Sequence, residues 1–171
     1  ADRVISYGPG DIRDYLDRYP EFGKYKKGFG NYFWKPYIIQ KGLESVAEGD
    51  YLIYIDSGSF VLKDLRKLCH YLEQVKKDIL VFESPLITKQ WTKMDAFLLL
   101  NADTEEILNS NQLLAGYIVI KNTKEARLFI ENYRKTCTDE RIVSDMDNVM
   151  GSENLCTSRS VRLGRRSILI M

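Results

Sequence analysis

Tyr51-Leu52-Ile53-Tyr54-Ile55 runs without interruption into Asp56-Ser57-Gly58-Ser59. A run this short and this rich in Ile and Tyr predicts a strand buried on both faces. Its acid then stands at the carboxyl end of a strand, where open α/β sheets bind their ligands. An acid in that place can hold a ribose hydroxyl or a divalent cation shared with phosphates. Mg²⁺ and Mn²⁺ commonly take one or two carboxylates together with substrate phosphates. Gly58 lets a ligand come close to the backbone. The alternative on position alone is an acid that ends a strand and caps the following turn.

Around this stretch the chain alternates between strand-like and helix-like patterns. Arg3–Tyr7 reads as a short strand closed by Gly8-Pro9-Gly10, and Ile12, Tyr15, Leu16 and Tyr19 recur at helical spacing up to Pro20. Residues 20–33 form an aromatic loop punctuated by Gly23, Gly28 and Gly30. Trp34-Lys35-Pro36 opens a helix, because proline is tolerated in a first turn. Ile39, Leu43 and Val46 mark its buried stripe. A helix capped by Asp64 follows the Asp56 strand, then a buried strand over Asp78–Phe82 that places Glu83 at its end. Trp91–Asp95 leads into a short apolar helix, and Asp103 or Thr104 caps another turn. Gln112–Ile120 reads as a long strand whose interior Gly116 predicts a bulge or a close backbone approach. A last helix follows Thr123, and periodicity fades beyond about Glu140. This alternation predicts an α/β fold with a mainly parallel sheet flanked by helices, in a single domain over residues 1–150. Residues 151–171 form a divergent basic C-terminal segment.

Charge and cysteine usage narrow the function class. The formal net charge is +1. Residues 151–171 carry four Arg and one acid, which leaves the body slightly acidic, so nucleic acid is not an expected partner. Cys69, Cys137 and Cys156 show no metal spacing and no CxxC, as expected for reduced thiols in a cytoplasmic protein. No apolar run is long enough to span a membrane and no signal peptide is visible. The sequence contains no GxGxxG, no P-loop and no nucleophile elbow. His70, the only histidine, has no convincing partner ligands and reads as an ordinary surface or core residue.

Three further positions bear on chemistry. Lys35, at a helix start, can meet a diphosphate with help from the helix N-terminus; it can equally be a solvated lysine. Lys93 and Asp95 stand two apart beside Trp91, as a ligand contact or as an exposed ion pair.

The blocks Gly28-Phe29-Gly30-Asn31-Tyr32-Phe33-Trp34-Lys35-Pro36-Tyr37 and Tyr54-Ile55-Asp56-Ser57-Gly58, with Trp91–Asp95 and Gln112–Gly116 in the same order, resemble bacterial GT-A type glycosyltransferases of polysaccharide biosynthesis. In that family a GFGYWxWKP loop precedes a YxDAG strand end. The resemblance covers roughly residues 2–135. It implies a GT-A-like, Rossmann-like sheet and a nucleotide-diphosphate-sugar donor whose sugar passes to a saccharide or other hydroxyl acceptor. It further implies donor binding by Trp34, Lys35, Asp56, Ser57, Gly58, Lys93, Gln112 and Gly116. Asp56 would be the metal ligand for Mn²⁺ or Mg²⁺, and Asp95 would orient or deprotonate the acceptor.

The chain departs from the family pattern in three places. Gly58 stands where a DxD motif has its second acid. The family's HRHDQS-I-L block corresponds to Arg162-Leu163-Gly164-Arg165-Arg166-Ser167-Ile168-Leu169, of which only the Ser-Ile-Leu end survives. Val4–Tyr7 resembles the family's second strand, so the N-terminal strand is expected to be missing. These departures leave a second expectation beside glycosyl transfer: a non-catalytic remnant that binds nucleotide or a protein partner.

Overall fold

A computed structural model of the protein describes residues 3–150. The basic segment 151–171, with Cys156 and the Arg162–Leu169 block, lies outside the described residues. In chain order the helices and strands are α1 (Arg13–Asp17), α2 (Gly28–Asn31), α3 (Lys35–Glu44), β1 (Tyr51–Ile55), α4 (Arg66–Val75), β2 (Ile79–Ile87), α5 (Thr88–Trp91), α6 (Met94–Leu99), α7 (Glu105–Leu108), β3 (Asn111–Lys121), α8 (Lys124–Cys137) and α9 (Glu140–Val143).

The fold is α/β, but the sheet is not the mainly parallel one expected from the sequence. Its order is β1-β3-β2, and β3 lies antiparallel to both neighbours. β1 and β2 run in the same direction, joined through α4 as alternating periodicity suggests, yet they never pair. The long β3 returns between them. Hydrophobic periodicity reports which residues are covered and is silent on strand direction, so this insertion was invisible in it.

Register assigns the two faces. Tyr54 opposes Ile118, Leu52 opposes Ile120, and Ile79 and Val81 oppose Ile120 and Ile118. Opposed residues point to one side, so these six share a face, which packs with Ile39 and Leu43 of α3 and Ala126, Ile130 and Tyr133 of α8. Ile118, Ile120 and Ile130 are completely buried. Val119 alternates to the other face, which α4 covers in part; Tyr117 and Phe82 lie beyond it, ring edge to ring face at 6.3 Å. β1 is therefore half-buried along its length, not enclosed on both faces.

β3 carries the irregularity that Gly116 predicted. Val81 pairs with Ile118 and Glu83 with Leu113, so β3 gains residues between those rungs and bulges around Gly116. β2 continues to Ile87, which puts Glu83 inside the strand rather than at its end. Val4–Tyr7 forms no strand, and Val4 and Ile5 are exposed. The helical pattern after Gly10 splits into a 3₁₀ turn, Pro9–Ile12, and the short α1, with Ile12 and Tyr15 buried as expected.

Hydroxyl and carboxylate caps hold the helix starts. Thr104 and Thr123 accept from Ile107 N and Ala126 N. Asp64 works one position earlier than expected: Leu65 is the α4 cap, while Asp64 Oδ1 accepts from Arg66 N at 3.0 Å. The turn between α3 and β1 is fixed by Asn122, 1% exposed, whose amide donates to the carbonyls of Leu43, Val46 and Ala47. Its own Oδ1 accepts from Arg127 Nε at 2.9 Å.

Candidate functional site

The aromatic loop before α3 owes its shape to left-handed backbone. Gly28, Phe29, Gly30, Asn31 and Tyr32 all have positive φ, from 51° to 89°. A side chain at Gly28 would overlap the Tyr32 ring, and one at Gly30 would come within 2.9 Å of Phe33. Phe29, Asn31 and Tyr32 adopt this conformation without glycine's freedom, a strain that persists only where surroundings enforce it. The enforcement is visible. Phe33 is wholly buried, stacked on Phe22 at 4.0 Å, and Trp34 Nε1 donates to Gly28 O at 2.7 Å. The loop therefore delivers Lys35 in a fixed place, at the first residue of α3.

Lys35 Nζ donates to Asp56 Oδ2 at 2.8 Å. Tyr54 OH donates to Asp56 Oδ1 at 2.7 Å, because residues two apart in a strand share a face. The Asp56 amide donates to Gly116 O at 2.9 Å, and Ser59 N closes a turn onto Asp56 O at 3.1 Å. A Cβ at Gly116 would lie 3.2 Å from Asp56 Oδ2, so the glycine makes room for the carboxylate. The Lys35 side chain is mostly covered, 12% exposed, whereas that of Asp56 is 42% exposed. The pair thus presents its carboxylate outward and keeps its ammonium behind it. Lys35 Nζ also lies 5.0 Å from the centre of the exposed Tyr32 ring. Burial and the adjoining Asp56 carboxylate both raise the Tyr54 pKa, which keeps its hydroxyl a donor.

Trp34, Lys35, Asp56 and Gly116 are thus brought together, and Ser57 and Gly58 follow Asp56 into exposed chain, Gly58 in open space. Lys93, Asp95 and Gln112 belong to different surroundings. Asp95 is fully buried; its carboxylate accepts from Val149 N at 2.8 Å and Met150 N at 3.0 Å. Asn148 Oδ1 accepts from the Asp95 amide at 3.3 Å. Lys93 Nζ stands 3.9 Å from Asp95 Oδ2 and has no hydrogen-bond partner among the described residues. Burial pulls its pKa down, against the opposing pull of Asp95, Asp145, Asp139 and Asp147. Gln112 is 1% exposed; its Oε1 accepts from Thr92 Oγ1 at 3.3 Å, and its amide nitrogen has no partner there.

Sequence reasoning passed over two contributors. Tyr54 has no side-chain role in the strand or in the Tyr54–Gly58 block as the sequence presents them, although i, i+2 spacing already places it on the Asp56 face. The acidic 139–147 stretch around Lys93 lay where periodicity had faded. His70 is exposed on α4, and Cys69 and Cys137 are free thiols. No group of three His, Cys, Asp or Glu side chains comes together among the described residues. No helix among them is long and apolar enough to cross a membrane.

No known family model matches the chain, and neither characterised proteins nor solved structures provide a significant match.

Proposed function

We propose that the chain binds a nucleotide-diphosphate-sugar at the end of β1 and transfers the sugar to an acceptor hydroxyl. The observation that carries this reading is the Lys35–Asp56 pair, an ammonium and an outward carboxylate at one strand end, framed by a strained loop and by Gly116. The reading rests on that local arrangement and on the order of the sequence blocks, not on sheet direction.

In this reading Asp56 accepts from the donor's ribose hydroxyls, and Tyr54 fixes the carboxylate rotamer. Lys35 supplies positive charge where a departing diphosphate becomes more negative, and that is where a preorganised charge accelerates group transfer. Tyr32 and Trp34 offer ring surface beside it. Each Asp56 oxygen accepts one protein hydrogen bond and keeps a further acceptor site, which suits a Mg²⁺ or Mn²⁺ ion held by this one carboxylate and the donor phosphates. Such an ion would add Lewis-acid stabilisation of the leaving group.

A second reading, nucleotide binding without transfer, is favoured by one observation. Asp95, the acid assigned to the acceptor, is completely enclosed and both its oxygens already accept backbone amides. Thermal shifts with UDP-, GDP- and CMP-sugars, with and without Mn²⁺, test both readings, because a ligand of the native state raises its stability. A shift from one nucleotide, lost in Asp56→Ala, is the expected result. No shift from any donor overturns both readings. A shift without release of nucleoside diphosphate in the presence of saccharide acceptors selects the second.

A further inference from the structure

A polar cavity lies away from β1, between α1, α3 and α8. It has a volume of about 320 Å³ and is lined by Tyr15, Arg18, Gln40, Lys41, Glu44 and Arg134, with Tyr37 completing the wall. Three of these side chains are cations and one is an acid. Among the described residues none of the three cations has a carboxylate partner. Arg18 Nε donates to Asp14 O at 3.2 Å, Arg134 Nε to Gln40 Oε1 at 2.7 Å, and Lys41 Nζ stands over the Tyr7 ring at 5.8 Å. Glu44 accepts from Gln40 Nε2 at 3.4 Å.

Tyr15 lines this cavity and is 1% exposed; the Arg134 guanidinium stands beside its hydroxyl as a donor, but no described group accepts the hydroxyl proton. Its ring is held flat against Tyr37 at 4.2 Å, so it cannot swing out to water without losing that stack. A phenol hydroxyl needs an acceptor for its proton. The charged groups around it, Glu44 excepted, are guanidinium and ammonium, which only donate. A buried donor left without an acceptor is costly, and the three cations around it favour an acceptor oxygen that carries negative charge.

We propose that Arg18, Lys41 and Arg134, with the Tyr15 hydroxyl at the floor, form a binding site for a phosphate-class oxyanion, separate from the Lys35–Asp56 site. Guanidinium forks match tetrahedral oxyanions through paired N–H groups, and lysine adds a point charge. The shared chemistry is the phosphoryl group, carried either as free phosphate or as a phosphate monoester. The site stands or falls independently of the donor-binding reading, because none of its residues touches Asp56.

Calorimetric titration of the full chain with inorganic phosphate and with glycerol phosphate, at constant ionic strength, tests the site. Saturable binding is expected, weakened about a hundredfold in Arg18→Ala/Lys41→Ala, since each of the two charge-assisted hydrogen bonds lost costs on the order of tenfold in affinity. Lys67→Ala, on the exposed side of α4 and outside both sites, should bind both anions unchanged. Tyr15→Phe should lose affinity while the unliganded protein melts no lower than wild type, a combination that a merely structural hydroxyl would not produce. Tighter binding of the ester identifies a phosphorylated metabolite as the ligand, and equal binding identifies the free anion. Absence of binding by either anion, or binding that survives Arg18→Ala/Lys41→Ala, overturns the proposal.

Discussion

Lys35 Nζ and Asp56 Oδ2 meet at 2.8 Å, the first residue of a helix against the first residue beyond a strand. The ammonium is the covered partner and the carboxylate the exposed one. In Lys35→Met the proposed donor site should lose its positive charge while Asp56 stays solvated, so nucleotide affinity falls with little unfolding. Asp56→Asn should lose affinity and also leave a mostly covered ammonium without its counter-ion. A double-mutant cycle read by urea denaturation should give a coupling of about 1 kcal/mol, the upper range for partly exposed pairs. A coupling near zero would mean that the pair does not hold the two elements together.

Gly116→Ala addresses the same carboxylate from the opposite strand. The added methyl would sit 3.2 Å from Asp56 Oδ2, and Lys35 and Tyr54 both hold that group in place. The carboxylate must shift by a few tenths of an ångström or break one of those bonds. We expect a stability loss of about 1 kcal/mol, typical of mild overpacking, and a larger proportional loss of nucleotide affinity. Unchanged affinity would show that the Asp56 rotamer is not what the ligand reads.

Lys93 makes stability depend on alkaline pH. Burial holds its folded pKa below the ordinary 10.5, so between that lowered value and 10.5 the unfolded chain binds more protons. The Lys93 contribution to stability should therefore rise as pH climbs through that window. It is read as the difference between wild type and Lys93→Met, because the Cys69 and Cys137 thiols and the Tyr15, Tyr51, Tyr54 and Tyr133 hydroxyls, all raised in the fold, act in the opposite sense. Lys93→Met should have the smaller slope of stability against pH; a slope identical to wild type would exclude Lys93 as a contributor.

Asp95→Ala should cost about 3 kcal/mol or more, because it leaves the Val149 and Met150 amides without an acceptor and Lys93 without its nearest carboxylate. Hydrogen exchange would show those two amides losing protection before the sheet does. Protection retained in the variant would mean that the segment is held by other contacts.

Asn122→Ala removes one amide that serves three carbonyls at the end of α3. A loss of about 2–3 kcal/mol is expected, the cost of leaving buried carbonyls unsatisfied. Asn122→Asp should be no milder, since a carboxylate cannot donate to them.

Much of this molecule was legible in its sequence, element by element. The runs at 51–55 and 79–82 are strands, Thr104 and Thr123 cap helices, and Gly116 marks a close approach. Those features depend on neighbours in the chain. Strand direction depends on residues far apart, and neither alternation nor burial distinguishes a strand that returns antiparallel between two others. Val4–Tyr7 failed for a related reason: a β-rich run becomes a strand only when another strand pairs with it, and none does here. The Lys35–Asp56 contact joins two residues that the sequence could only nominate separately.

The position of β3 has a consequence for how the protein comes into being. During synthesis, β1 and β2 leave the ribosome before β3, and among the described residues each bonds only to that later strand. The Asp56 amide finds its acceptor in Gly116, sixty residues downstream. Any nascent chain stopped before β3 carries the Lys35 and Asp56 side chains of the α3–β1 corner and lacks the strand that joins the sheet. The corner is written early and becomes a site late.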